Sequence, residues 1–399
     1  MAKKKTTVEQ LRGAARLAVT ATRGVTDVVE TMHHTIGGGP ALLGKPWLAL
    51  TKLLSAPTYG AIRGATHIVD VGLDLALTRL APLLGRTGRV GSDRGAVLAA
   101  LNGVLGDYLA ATDNPLAITM RLCSGGTPLV LSPKALAARF KEGERLLVLV
   151  HGSSMGDTQW LRHGHDHGAA LARQRGFVPL YVRYNSGLHV SQNGRALASL
   201  LERLIGAWPR RGGKPELVLL AHSMGGLVAR SACLTGEARG HLWRTRLRSL
   251  VTLGCPHHGA PLERGGNWAE SLLGLSRYSA PIGRLGRLRS AGVTDLRYGN
   301  LVDSDWQGRN RFALAGDPRA VIGLPQGVAC FAVAGSTSTA ASGKLAGDGL
   351  VPVDSALGRH ADPARTLDFG DEHCFVAFGT RHLELLDSQV VYAQLRRWL

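Results

Sequence analysis

The chain has 399 residues, 45% of them hydrophobic, which is ample material for a packed core and excludes a disordered chain. Its 52 glycines follow no period of three and no segment repeats at fixed length, so collagen-like and repeat architectures are excluded. Lys+Arg outnumber Asp+Glu by 47 to 29, a formal net charge of +18, yet no basic stripe with interleaved aromatics marks a nucleic-acid groove. A basic surface facing anionic lipid or polymer stays open.

The first residues, Met1-Ala2-Lys3-Lys4-Lys5, resemble the basic start of a signal peptide, but Arg12 and Arg16 break up any apolar stretch after them. Secretion by that route is therefore not expected. Residues 1–112 read as a helical N-terminal region. Gly37-Gly38-Gly39-Pro40 divides it, and the Leu-rich stretch after it (Leu42, Leu43, Leu48, Leu50, Leu53, Leu54, with Trp47) suits either a lipid or polymer surface or the flank of the next domain. No 18-residue apolar run occurs; residues 61–80 are interrupted by Arg63, Asp70, Asp74 and Arg79. Val97, Leu101, Val104 and Tyr108, with Leu98, Leu105 and Leu109 beside them, predict one apolar helix face ending before Asp113-Asn114-Pro115.

Residues 113–399 read as a second, α/β domain. Short β-prone runs at 118–123 and 129–131 flank Ser124-Gly125-Gly126 and predict a hairpin. Apolar runs at 146–150, 178–182, 217–220, 250–253 and 330–334 predict strands, with helices at 196–208 and 226–234 between them. Strands without strict alternation, separated by helices, indicate a mostly parallel sheet covered on both faces. The stretch 258–327 is too long for a crossover. With Trp268, Leu272, Leu273, Tyr278 and Trp306 it reads as an inserted cap or lid, and a final helix covers 388–398. Trp160, Tyr181, Tyr184 and Trp208 read as core. Cys123, Cys233, Cys255, Cys330 and Cys374 are odd in number and lack a C-x-x-C pair, the usage of a reducing, cytoplasmic compartment.

Ala221-His222-Ser223-Met224-Gly225-Gly226 lies between an apolar strand and a helix, the setting of a strained turn that lifts a serine hydroxyl above a sheet. Val150-His151-Gly152-Ser153-Ser154 follows another strand, where a backbone N–H at the His-Gly tip can, together with that of Met224, receive a negative oxygen. Asp348, between Gly347 and Gly349, sits on a tight loop that can aim a carboxylate. A base has two candidates near the C-terminus, His382 and His373. His222 reads as a packing and hydrogen-bonding residue. His163-Gly164-His165-Asp166-His167 has alternating imidazoles, but its place at a helix start predicts a cap or surface cluster, with no metal.

Together with Thr252-Leu253-Gly254-Cys255-Pro256-His257-His258-Gly259, these segments resemble the α/β-hydrolase superfamily. Within it they are similar to bacterial lipases and esterases, including the lipase-like branch related to GPI-inositol deacylases. The resemblance covers about residues 116–399. It implies an α/β-hydrolase fold with Ser223 as nucleophile, Asp348 as acid and His382 as base, His382 being followed by Leu-x-Leu-Leu as in the family. It places the oxyanion N–H groups at Ser153 and Met224, with no cofactor. Ala221 replaces the usual Gly, and Cys255 stands where the family usually has Thr. The activity implied is hydrolysis of carboxylic esters, with a hydrophobic ester such as a lipid or aliphatic polyester as substrate. The alternatives are an acyltransferase using the same triad and a non-catalytic protein binding lipid or polymer granules, peripheral to membrane or granule.

Overall fold

The computed structural model describes residues 92–141, 143–208, 213–260, 290–310, 317, 319–339 and 345–399. Residues 90–108 with 118–399 form one compact unit, and residues 1–89 with 109–117 another. Of the second, only 109–117 is described. There helix α1 (Ser92–Ala111) ends, Asp113 takes φ 48°, the Asn114 N–H donates to the Leu109 carbonyl and the Asn114 side chain accepts from the Leu116 N–H. The Lys3–Lys5 start and the Leu-rich stretch with Trp47 lie outside the described residues.

The main unit is built on an eight-stranded sheet in the order β2-β1-β4-β3-β5-β6-β7-β8. Its strands are β1 (Arg121–Ser124), β2 (Thr127–Pro128), β3 (Arg145–Val150), β4 (Phe177–Arg183), β5 (Glu216–His222), β6 (Leu247–Leu253), β7 (Ala329–Gly335) and β8 (Cys374–Ala377). β1 pairs antiparallel with β2 and β4; all other pairings are parallel. The predicted strands at 146–150, 178–182, 217–220, 250–253 and 330–334 all lie in it. β8 is an addition to that set.

The apolar runs are continuous because both faces are covered. Leu146, Val148 and Val150 belong to one core cluster, with Leu197, Leu201 and Leu204 of α4 (Val190–Ala207) and Leu227 and Val228 of α5 (Met224–Ala238). Leu147 and Leu149 belong to the opposite cluster, with Ala170 and Leu171 of α3 (His167–Arg175) and Val391 and Leu395 of α9 (Gln389–Trp398). The remaining helices are α2 (Pro133–Ala137), α6 (Leu242–Arg246), α7 (Ala291–Asp295) and α8 (Val353–Ala356). Trp160, Tyr184 and Trp208 are buried core residues; Tyr181 is half-buried and donates to the Asp166 carboxylate.

α1 buries Val104 and Leu109 of its predicted apolar face and adds a stripe of small residues. Its contacts with the main unit run through small residues one and two turns apart. Ala99 meets Gly156; a Cβ on Gly103 would lie 2.0 Å from Ser154 Oγ, and one on Gly106 would lie 1.8 Å from Asn185 Oδ1. Leu98, Leu101, Leu105 and Tyr108 are only half-buried. Close approach of these segments needs glycine here. Of the 258–327 stretch, Trp268, Leu272, Leu273 and Tyr278 lie outside the described residues, whereas α7 and Trp306 lie within them.

All five cysteines carry free thiols. Burial pushes Cys123, Cys233 and Cys330 up to about 12, and raises Cys255 and Cys374 as well. No helix among the described residues is long and apolar enough to cross a membrane.

Candidate active site

β5 runs into α5 through a single residue, Ser223, which adopts φ 55° and ψ −127°. A positive φ is costly for a residue with a Cβ, and it persists here because the surroundings fix both ends of the turn. The Ser223 N–H donates to the Leu253 carbonyl at 2.8 Å, and the Gly226 N–H donates to the Ser223 carbonyl at 2.9 Å. Close neighbours, backbone at Gly225 and side chains at Gly226, dictate the two glycines that follow. A Cβ on Gly225 would meet the Val150 carbonyl oxygen at 2.3 Å, and one on Gly226 would meet Cys255 Sγ at 2.5 Å. The earlier flank is more permissive: Ala221 is fully buried in register with Val150 and Thr252. Ser223 Oγ is buried and makes no hydrogen bond.

Asp348 and His382 meet from two loops at the carboxyl edge. Asp348 Oδ1 accepts from the Leu350 and Val351 N–H groups at 2.9 and 2.8 Å. Its Oδ2 accepts from His382 Nδ1 at 2.7 Å, and the His382 N–H donates to the Asp348 carbonyl at 3.0 Å. Both residues are 2% exposed. With the proton on Nδ1, the lone pair stands on Nε2, which is buried and has no partner. Gly254 makes room for this pair, since a Cβ there would lie 3.1 Å from Asp348 Oδ2 and 3.2 Å from His382 Cε1.

His222 ties the elbow to this pair. Its Nε2 donates to the His382 carbonyl at 3.1 Å, and the two rings lie 4.7 Å apart. Burial holds its pKa well below the usual imidazole value, so the ring is neutral. His373 stands elsewhere. It precedes β8, its ring lies 4.4 Å from Phe331, and the parallel pairing of β7 with β8 puts it at the amino end of the strand. Ser223 and His382 follow the carboxyl ends of β5 and β8, so only His382 shares an edge with Ser223.

The loop after β3 closes the third side. Gly152 packs against Ser223, since a Cβ there would lie 3.0 Å from Ser223 Cβ. Tyr184 stacks on His151 at 4.2 Å and donates its hydroxyl to the His151 carbonyl at 2.8 Å. His151 Nδ1 donates to the Gly152 carbonyl, and burial lowers its pKa to about 4. Ser154 takes φ 59°, and its N–H donates to Ser186 Oγ. Met224 is the first residue of α5, so its N–H has no intrahelical acceptor. Ser153 Oγ, Ser154 Oγ, His151 Nε2 and His222 Nδ1 join Ser223 Oγ and His382 Nε2 as buried polar atoms without a hydrogen bond. Such groups cost about 1–3 kcal/mol each when left unpaired in a fold, and they mark places where a ligand repays that cost.

Sequence reasoning missed a second histidine–aspartate pair. His189 Nδ1 contacts both carboxylate oxygens of Asp295 at 3.0 and 3.1 Å, while its ring stacks on Trp306 at 3.7 Å. No local signal joins residues so far apart in the chain. The His163–His167 cluster binds the start of α3 to the C-terminal segment. His165 Nε2 contacts His167 Nδ1, His167 Nε2 donates to the Leu385 carbonyl, and His163 pairs with Asp387. Among the described residues, no group of three or more His, Cys, Asp or Glu could hold a metal ion.

The sheet order, with a strand–serine–helix turn at its centre and the acid and histidine on the following loops, joins a match of residues 145–310 to the family described as PGAP1-like alpha/beta domain. The fold is that of an α/β-hydrolase. No curated protein matches the chain. Among solved structures, this chain is similar to the mature form of a Bacillus licheniformis lipase: 17% identity over 65% of this chain and 93% of the other, with a TM-score of 0.42. It is also similar to naproxen esterase from Bacillus subtilis, at 13% identity over 78% of this chain and 99% of the other, with a TM-score of 0.38. An esterase from Pyrobaculum calidifontis is 14% identical over 65% of this chain and 77% of that one, with a TM-score of 0.33.

Proposed function

We propose that this protein is a serine hydrolase of carboxylic esters, with Ser223 as nucleophile, His382 as general base and Asp348 as the acid that orients it. The observation carrying this reading is the buried Asp348–His382 bond at 2.7 Å, which leaves Nε2 as the unpartnered basic nitrogen beside the strained Ser223 turn. In the first step His382 Nε2 takes the Ser223 proton as Oγ attacks the acyl carbonyl carbon. The carbonyl oxygen becomes an oxyanion and accepts hydrogen bonds from the Ser153 and Met224 N–H groups. His382 then gives its proton to the departing alkoxide, leaving an acyl group on Ser223. A water, deprotonated by the same Nε2, releases the acid and restores the serine. Asp348 keeps the imidazole in the Nδ1–H tautomer throughout and stabilises its charged form.

A hydrophobic acyl group, as in lipids or aliphatic polyesters, fits the apolar composition of the N-terminal stretch and of residues 258–327. A fluorophosphonate probe tests the nucleophile directly. The expected result is one adduct on the peptide containing Ser223, absent from Ser223→Ala. An adduct on another serine would overturn the assignment.

A further inference from the structure

A second cluster of unusual charge lies further along α5 from the elbow, around Arg230. Arg230, Arg319 and Arg365 line one cleft, partly open to solvent, with His257, His258 and Asp305. The three guanidinium groups differ in how they are satisfied. Arg319 is saturated: it binds Asp317 through Nε and Nη2 at 2.9 and 2.7 Å and gives Nη1 to the His257 carbonyl. Arg365 has only ion pairs, at 3.6 Å to Asp317 and 3.7 Å to Asp362, beyond hydrogen-bond reach.

Arg230 is the exception. It is 3% exposed, and its partners are all neutral: the Ile322 and Gly323 carbonyls at 2.7 and 3.2 Å, and His257 Nδ1 at 3.3 Å. Its Nε is buried without any hydrogen bond. His257 cannot share the charge, because its Nδ1 accepts from Arg230 while its Nε2 contacts Thr252 Oγ1. Burial and the neighbouring cations keep its pKa well below the usual value. Burial lowers Arg230 to about 10, which still leaves it charged at neutral pH. The carboxylate in the lining, Asp305, is spent on the Leu301, Val302 and Ala320 N–H groups. Anchoring the 322–323 carbonyls needs a donor but no charge, so that structural role does not account for a buried cation beside two others.

A buried charge ordinarily has a counter-charge, and guanidinium groups converging on a cleft match the planar, multidentate geometry of oxyanions. We propose that this cleft binds a phosphate group, with Arg230 Nε and the Arg365 guanidinium as the donors that reach it. Phosphate is favoured over a single carboxylate because two guanidinium groups with unspent donors, Arg230 and Arg365, line the cleft and its lining carboxylate is already spent. Arg230 lies seven residues beyond Ser223 on α5, about 10 Å along the helix. A phosphate carried by an ester substrate and a free phosphate are therefore both within the geometry, and the test separates them.

The first arm is calorimetric titration of the full chain with sodium phosphate at pH 7.5 and constant ionic strength, with sodium acetate and sodium chloride in parallel. Saturable one-to-one phosphate binding is expected, weakened about tenfold or more in Arg365→Gln and in Arg230→Met by loss of a charge-assisted donor. Arg248→Gln, which alters only an exposed pair with Glu216, should bind as the parent does. Arg365 sits at the rim, so its variant decides the matter even where Arg230→Met fails to fold. Absent binding, or equal binding in Arg365→Gln, overturns the proposal; acetate binding as tight as phosphate overturns the choice of ligand. The second arm rests on the ester-hydrolase reading and compares kcat/KM for dihexanoyl phosphatidic acid and dihexanoyl glycerol. A loss in Arg365→Gln confined to the phosphate-bearing ester assigns the cleft to a substrate headgroup, and equal values assign it to free phosphate. Failure to cleave either ester sinks the hydrolase reading and leaves the binding result standing.

Discussion

Among the described residues, two histidine–aspartate pairs stand beyond carboxyl ends of the sheet's strands, His382–Asp348 fully buried and His189–Asp295 with a half-buried ring, and they have different surroundings. His382–Asp348 and His189–Asp295 both bond through Nδ1, and both carboxylates also accept backbone N–H groups: Leu350 and Val351 for one, Val190 for the other. They diverge in what surrounds the ring. His382 keeps Nε2 unpartnered, and its loop carbonyl is bonded to the residue preceding the strained Ser223. His189 lies flat on the Trp306 indole at the start of α4. The serine nearest it in sequence, Ser191, is helical and spends its hydroxyl on Asp303 and Trp306. On the proposed mechanism a histidine–aspartate pair is a structural clamp unless a nucleophile comes within reach of the ring's other nitrogen.

The most drastic way to break this comparison is Ser223→Ala. On the proposed mechanism it lowers kcat for a short-chain ester by about 10⁴-fold or more, with the melting temperature nearly unchanged. A folded variant with most of its activity would show that Ser223 is not the nucleophile.

Exchanging the two histidines sharpens it. His382→Ala is expected to match Ser223→Ala, with little further loss in the double variant, because such residues act as a unit. His189→Ala should keep kcat within about threefold while losing about 1–3 kcal/mol of stability, as Asp295 loses a buried partner. His373→Ala should keep most of the rate. The reverse ranking in ester assays and denaturant melts would move the base.

The comparison extends to imidazoles whose partners are backbone carbonyls. His151 and His167 are buried, and burial lowers both to about 4. Their unfolded values lie near 6.5, so the unfolded chain binds more protons between those limits. Their contribution is complete above about pH 6.5 and is lost as pH falls from there toward 4. Urea midpoints at pH 7 and pH 5 should differ by about 2 kcal/mol per histidine. Equal midpoints would mean that both rings titrate as in the unfolded chain.

The smallest effect is expected at Gly103→Ala. Alanine favours a helix by about 1 kcal/mol over glycine, yet its Cβ would fall 2.0 Å from Ser154 Oγ. Overpacking should win, lowering stability by about 1–2 kcal/mol and kcat less than about tenfold through the shifted Ser154 loop. A raised melting temperature would show that α1 yields easily.

Much of this arrangement was legible because it is local. The apolar runs at 146–150 and 217–220, the small residues after Ser223 and the glycine-flanked Asp348 each announce themselves within a few positions. β8 escaped because it is four residues long and follows the charged Asp371-Glu372-His373. His373 and His382 flank that strand, and only its parallel direction separates them. The close contacts of α1 at Gly103 and Gly106 were not legible, because they depend on what distant segments bring against the helix. His189–Asp295 and the arginine cleft assemble from distant segments, and no spacing rule reads such a meeting.

The distribution of the five thiols has a practical consequence. Cys123 lies on β1 near one edge of the sheet, Cys330 and Cys374 lie on β7 and β8 toward the other, Cys233 is on α5, and Cys255 packs beside the elbow. Burial keeps Cys123, Cys233 and Cys330 protonated at the pH of ordinary alkylation chemistry, so each reacts only when its own neighbourhood opens. The native chain therefore carries, without engineering, a set of clocks strung across its sheet. The order in which a thiol reagent modifies them records which edge comes apart first.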